Sequence, residues 1–223
     1  KAYLTEEDLR IEREFGEIIK TFGPDHNLYA EEEHDVFKTS DNVWVMDPIS
    51  GTSTFIRGLP HYGIVVAHIQ KGETKFALVY DPSMRDVYSA EKGAGMFLNG
   101  KRQCVAQTNI QRPRVLIRVS SSAWNQAEMN IRLMEALREY TVSILPFSAS
   151  LDYAYIASGK FDGSIAFTKD SFVDFAGSLL VREAGGVCTN KEGNVDIKPD
   201  DRVFVVGHPS THAKLLEIAR KIV

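Results

Sequence analysis

Cysteine is nearly absent: two in 223 residues, Cys104 and Cys188, with no C-x-x-C spacing. That scarcity excludes a disulfide-stapled fold and a cysteine-built zinc site, and it makes a reducing cytoplasm the expected compartment. No apolar run approaches the roughly 18 to 20 residues of a membrane-spanning helix, so no membrane partner is expected. The opening Lys1-Ala2-Tyr3-Leu4-Thr5 is not a signal peptide, and the lack of an initiator Met points to a trimmed chain or a missing leading segment. Charge of one sign is lacking as well. Lys and Arg number 26 against 30 Asp and Glu, a formal net charge of −4, and the basic residues are scattered. A nucleic-acid footprint needs a dense basic face, so no nucleic-acid partner is expected. Internal repeats and low-complexity segments are missing too, which removes solenoid and disordered classes. What is present is ordinary for a globular protein: 43% apolar and 25% charged residues, enough for one large core or two packed subdomains.

Periodicity supplies the elements. Leu9, Ile11, Phe15, Ile18, Ile19 and Phe22 keep helical spacing from Thr5 to Phe22, and Gly23-Pro24 supplies a stop. Thr5 with Asp8 has the spacing of a helix-start box. The apolar run Val43-Trp44-Val45-Met46 predicts a buried strand. Strand-like runs follow over Tyr62 to Ile69, Lys75 to Tyr80, Asp86 to Ala90 and Met96 to Leu98, with Asn99-Gly100 as a tight turn. Their short spacing predicts an antiparallel meander. The texture changes near residue 115, where a subdomain boundary is placed, giving 1–114 and 115–223. The second half predicts a strand at Val115 to Val119, a helix at Asn125 to Glu139 and a strand at Thr141 to Leu145. A helix at Leu151 to Ser158, a strand at Asp162 to Phe167 and a helix at Phe175 to Ala184 come next, with Asp174 as its N-cap. A strand at Val203 to Val206 and a last helix capped by Ser210 complete the pattern. The class is α/β or α+β in layers.

Chemistry concentrates at Asp47-Pro48-Ile49-Ser50-Gly51-Thr52, which closes the Trp44 strand. A strand-end Asp can hold a hard cation, and a Gly-Thr pair opening the next segment offers backbone amides to a phosphate. Glu31-Glu32-Glu33 is by itself a solvated acidic run, since like charges this close prefer water unless a cation neutralises them. Taken in order, Thr5-x-x-Asp8, Ala30-Glu31-Glu32, Trp44-x-x-Asp47-Pro-Ile-x-Gly51-Thr52, Asp174-Phe-Ala-Gly177 and Leu180-Val-Arg-Glu-Ala-Gly-Gly186 resemble the inositol monophosphatase family of magnesium-dependent, lithium-sensitive phosphatases. Leu59-Pro60-His61, Val79-Tyr80-Asp81-Pro82 and Asn99-Gly100 add framework similarity of the bacterial and archaeal kind.

The resemblance implies a layered α-β-α-β-α sandwich of the sugar phosphatase type, commonly a homodimer, and Mg2+ as the cofactor. It implies that Glu31, Asp47 and the Ile49 carbonyl hold a first magnesium ion, and that Asp47 bridges to a second ion shared with position 50 and Asp174. Asp8, Glu31 and Thr52 match the groups around the attacking water. The amides of Gly51 and Thr52 would cradle the phosphate, with Ser50, Ser148 and Lys169 as further substrate contacts. The expected activity is hydrolysis of a small sugar or polyol phosphate. The alternative is a catalytically degenerate member that serves as a regulatory or binding protein.

Departures from the family pattern sharpen that alternative. Position 50 is Ser where the family has Asp, so one anionic ligand of the second ion is gone. Val173 stands where many relatives carry Trp. Phe167 stands seven residues before Asp174, where enzymes of inositol phosphate place a Glu for sugar hydroxyls, which turns the expectation away from inositol itself. Family members also begin with a further helix ahead of the Thr-x-x-Asp motif, so the helix from Thr5 is expected to expose a face that a second subunit would cover.

Overall fold

In the computed structural model, which describes residues 3–38, 40–106, 112–119, 126–144, 148–168 and 171–222, the first helix begins where the box predicts. The Thr5 hydroxyl accepts from the Asp8 amide at 3.3 Å, and the Asp8 carboxylate accepts from the Thr5 amide at 2.8 Å. This reciprocal cap starts α1 (Glu6–Lys20). Two strands missing from or shortened in the sequence reading follow: β1 (His26–Ala30), then β2 (Asn42–Ser50), which extends the Trp44 run through the first four residues of the chemical hexapeptide. A one-turn helix, α2 (Thr52–Ile56), leads into the meander β3 (Gly63–Gln70), β4 (Glu73–Asp81), β5 (Asp86–Glu91), β6 (Gly95–Leu98) and β7 (Lys101–Gln103). The strands lie in the order β1 to β7, with β1 parallel to β2 and every other pair antiparallel.

The second half supplies β8 (Arg114–Val119), α3 (Gln126–Ala136), β9 (Thr141–Ile144), α4 (Ala149–Ala157), β10 (Gly163–Phe167) and α5 (Phe172–Glu183). It ends with β11 (Val187–Asn190), β12 (Val203–Gly207) and α6 (Pro209–Ile222). Its sheet runs β11-β12-β10-β8-β9. Two helix starts differ from expectation. α5 begins three residues early, after Ser171, so Asp174 lies in its first turn and donates its amide to the Ser171 carbonyl at 3.1 Å. α6 opens with Pro209, whose fixed φ suits a first helical position. Ser210 therefore sits inside the helix, its amide taken by His208 Nδ1 at 3.3 Å.

Three apolar clusters define five layers. Ile11 and Phe15 of α1 pack on Ala30, Met46 and Val66 of the first sheet. On that sheet's other face, Val45, Val65 and Val79 meet Tyr153, Ala176 and Leu180 of α4 and α5, and the same core reaches Phe204 and Val206 of the second sheet. Beyond it, Val115, Ile117, Ile165 and Phe167 pack against Leu133 of α3 and Leu215 of α6. The α4–α5 pair is thus buried between two sheets, and α5 is buried along nearly its whole length. Period-2 alternation on β8 directs Val115 and Ile117 to the outer core and leaves Arg118 for the inner one.

Candidate metal and phosphate site

β1 and β2 stay in parallel register from His26 opposite Asn42 to Ala30 opposite Met46. The paired stretch ends there: Glu31 is the first residue past β1, and Asp47 is the next residue of β2, which runs on to Ser50. Across β2 and β3, Asp47 faces Val65 and Ser50 faces Gly63, so three steps on one strand match two on the other. This bulge falls on Pro48-Ile49, where Pro48 has no N–H for the ladder. The Ile49 carbonyl accepts from the Thr52 hydroxyl at 3.0 Å. Gly51 then turns the chain with φ 96°, a left-handed conformation that a side chain would strain. A Cβ there would also lie 3.2 Å from Ser148 Cβ and 3.3 Å from the His61 carbonyl oxygen. The structure therefore brings Ser148, the buried residue before α4, against the Gly51-Thr52 turn. Ser50 is buried at the strand end, and Lys169 lies outside the described residues.

α1 contributes two buried carboxylates one turn apart, Asp8 and Glu12. Asp8 Oδ2 is committed to the amide and hydroxyl of Thr5, while its buried Oδ1 has no hydrogen-bond donor among the described residues. Glu12, fully buried, reaches into the acidic loop after β1. It accepts from the amides of Glu32 at 2.9 Å and Glu33 at 2.8 Å, with His34 Nδ1 at 2.7 Å. The Ala30 amide donates to the His34 carbonyl at 3.0 Å and closes the loop, and Arg13 grips Glu33 from outside. Glu31 sits in this loop, directly after β1.

Asp174 is fully buried between α4 and α5. The Tyr153 hydroxyl donates to its Oδ1, and burial raises the Tyr153 pKa well above its ordinary value, with the Asp174 charge adding to the effect. Gly177 permits this approach, because a Cβ on it would stand 2.2 Å from the Tyr153 ring. Arg118 Nη2 lies 3.7 Å from Asp174 Oδ1, and its Nε lies 3.6 Å from Asp152 Oδ2. Burial pushes the Asp152 carboxyl up to about 7, against Arg118, which lowers it.

A family model described as the inositol monophosphatase family matches residues 1–223. The chain belongs to that family. It is 29% identical over 224 residues to the fructose-1,6-bisphosphatase/inositol-1-monophosphatase of Thermotoga maritima, covering 100% of this chain and 84% of that protein. It is 34% identical over 206 residues to a putative Nus factor SuhB of Neisseria meningitidis, covering 91% of this chain and 78% of that one. A solved Thermotoga maritima IMPase superposes with a TM-score of 0.86 at 28% identity, covering 98% of this chain and 84% of that chain.

Set against the family's metal chemistry, the two halves of the site differ. Glu31, Asp47 and the Ile49 carbonyl, the groups the family pattern points to, would offer only oxygen donors, which suit a hard divalent ion. Among the described residues no three His, Cys, Asp or Glu side chains are grouped to hold a metal. Asp174 does not fit a second ion, because a guanidinium already stands against it and Ser50 brings no charge. Sequence reasoning missed Glu12, Tyr153, Asp152 and Arg118. Glu12 alone left a signal, its spacing of four from Asp8. Phe167 does not face this site: it is fully buried in the outer core with Val115 and Leu215, on the sheet face opposite Arg118.

Among the described residues no helix is long and apolar enough to cross a membrane.

Proposed function

We propose that this protein is a magnesium-dependent phosphomonoesterase acting on a small sugar or polyol phosphate in the cytoplasm, as a homodimer. The observation that supports the reading is the strand end, where Glu31 and Asp47 each follow the last β1–β2 pair and a bulge precedes the Gly51-Thr52 turn. Glu31, Asp47 and the Ile49 carbonyl would hold magnesium. When bound, the ion supplies Lewis acidity for the phosphoryl oxygens and lowers the pKa of water. Thr52 and Asp8 orient the attacking water, and the buried Asp8 Oδ1 is the acceptor for one of its protons. The amides of Gly51 and Thr52, at the start of α2 where intrahelical acceptors are lacking, receive the phosphate, with Ser50, Ser148 and Lys169 around it. Hydrolysis is a direct displacement by water, without a phosphoenzyme, and lithium is expected to inhibit it.

A second reading, a degenerate member that binds without turnover, is supported by Ser50, by Arg118 beside Asp174, and by relatives that carry the name Nus factor SuhB. The two separate in an assay of phosphate release from a panel of sugar and polyol phosphomonoesters, with magnesium and with chelator. Magnesium-dependent release from at least one ester supports the enzyme and ranks its substrates. No release from any ester, by protein shown to be folded, favours the binding protein.

A further inference from the structure

The second-ion half of the site carries two departures of the same sign. Ser50 removes a negative charge, and Arg118 adds a positive one. Arg118 projects from β8 onto the inner face of the second sheet, where α4 presents Asp152 and α5 presents Asp174. Its side chain is only 13% exposed, and the two carboxylates it faces are 8% and 0% exposed. Among the described residues its buried Nε and Nη2 have no hydrogen-bond partner, and the two carboxylates stand at ion-pair distance. The Tyr153 hydroxyl occupies another approach to the same Asp174 oxygen. A divalent ion seated on Asp174 would stand within a few ångströms of a fixed guanidinium, in surroundings that screen poorly, with one carboxylate fewer to hold it.

We propose that the Arg118 guanidinium is the resident cation at Asp174, so that the protein holds one divalent ion, at Glu31, Asp47 and the Ile49 carbonyl, and takes no second. The proposal rests on the reading above only for where that one ion binds. It also means that Ser50→Asp alone does not restore a second site, since the guanidinium stays.

Ion counting tests it without reference to turnover. Mn2+ bound by the full chain is measured by equilibrium dialysis, with the free ion read by its paramagnetic resonance. The wild type is expected to bind one ion, and Arg118→Ala/Ser50→Asp two. Because removing Arg118 leaves buried carboxylates without their cation, Arg118→Ala/Ser50→Asp/Asp152→Asn is measured beside it and is also expected to bind one ion more than wild type. Two ions on the wild type overturn the proposal, as do folded variants that bind no more than wild type. A wild type that binds none, with variants that still gain one, refutes the first-site reading and leaves Arg118 in its role.

Discussion

Glu12 is a buried carboxylate outside every metal motif, and its substitution tests how the acidic loop is built. It accepts from the Glu32 and Glu33 amides and lies 2.7 Å from His34 Nδ1. Hydrogen bonds to a charged group contribute about 1.5 to 3 kcal/mol each, and a buried donor left without an acceptor costs about 1 to 3 kcal/mol. Glu12→Gln keeps one acceptor oxygen and turns an NH2 toward the other amide, so it should cost roughly 1.5 to 3 kcal/mol. Glu12→Ala abandons both amides and leaves a void in a fully buried place, so roughly 3 to 6 kcal/mol is expected. At about 2 to 4 °C per kcal/mol for a chain of this size, Gln should lower Tm by roughly 3 to 12 °C. The loop also carries Glu31, and loss of a group that orients a metal ligand typically costs 10 to 100-fold in affinity. Urea unfolding gives the stability change, and calorimetric magnesium titration of the still-folded Gln variant gives the affinity. A Glu12→Gln protein with wild-type stability and wild-type magnesium affinity would refute the loop-pinning argument.

Other consequences are as direct. Asp152 has its pKa raised to about 7 from an ordinary 3.8, so this group favours the folded state while protonated. Its contribution is full below about pH 4 and is lost as pH rises through about 7, a fall of at most roughly 4 kcal/mol. Asp152→Asn should flatten the stability curve over that window, and a curve parallel to wild type would contradict the assignment. Gly177→Ala gains about 1 kcal/mol of helix propensity but drives a methyl to 2.2 Å from the Tyr153 ring. Chemical denaturation should show a net loss of about 2 kcal/mol or more, and a neutral outcome would mean that α4 and α5 are less tightly joined than described.

Much of this architecture was legible in the sequence because the hydrophobic period decides most elements locally. The meander between Gly63 and Leu98 has short apolar runs broken by turn residues, and it forms as predicted. β1 was not legible: His26-Asn27-Leu28-Tyr29-Ala30 is short and half polar, and becomes a strand only by pairing with β2. Yet that pairing sets where the acidic loop with Glu31 leaves the sheet, one residue past Ala30. The helix starts at Phe172 and Pro209 were misplaced because Asp174 and Ser210 look like caps, while Ser171 and His208 serve those ends. In the site, Asp8, Glu31, Asp47 and Thr52 stand out through motif order. Glu12 hides among Glu6, Glu7, Glu14 and Glu17 on the same helix, since burial of one Glu among five depends on a loop 20 residues away. Arg118 was invisible for a related reason. An Arg in an apolar strand is ordinary, and its partners come from α4 and α5, 34 and 56 positions later by their numbers.

The measurement that bears most directly on the central claim is a magnesium titration of phosphate release from the preferred ester, in wild type and Asp47→Asn, each repeated with lithium. The account predicts saturable, magnesium-dependent release by wild type, inhibition by lithium, and a loss of at least about 100-fold in the variant, where a metal carboxylate has become an amide. Release that ignores magnesium, or that survives Asp47→Asn unchanged, would contradict it.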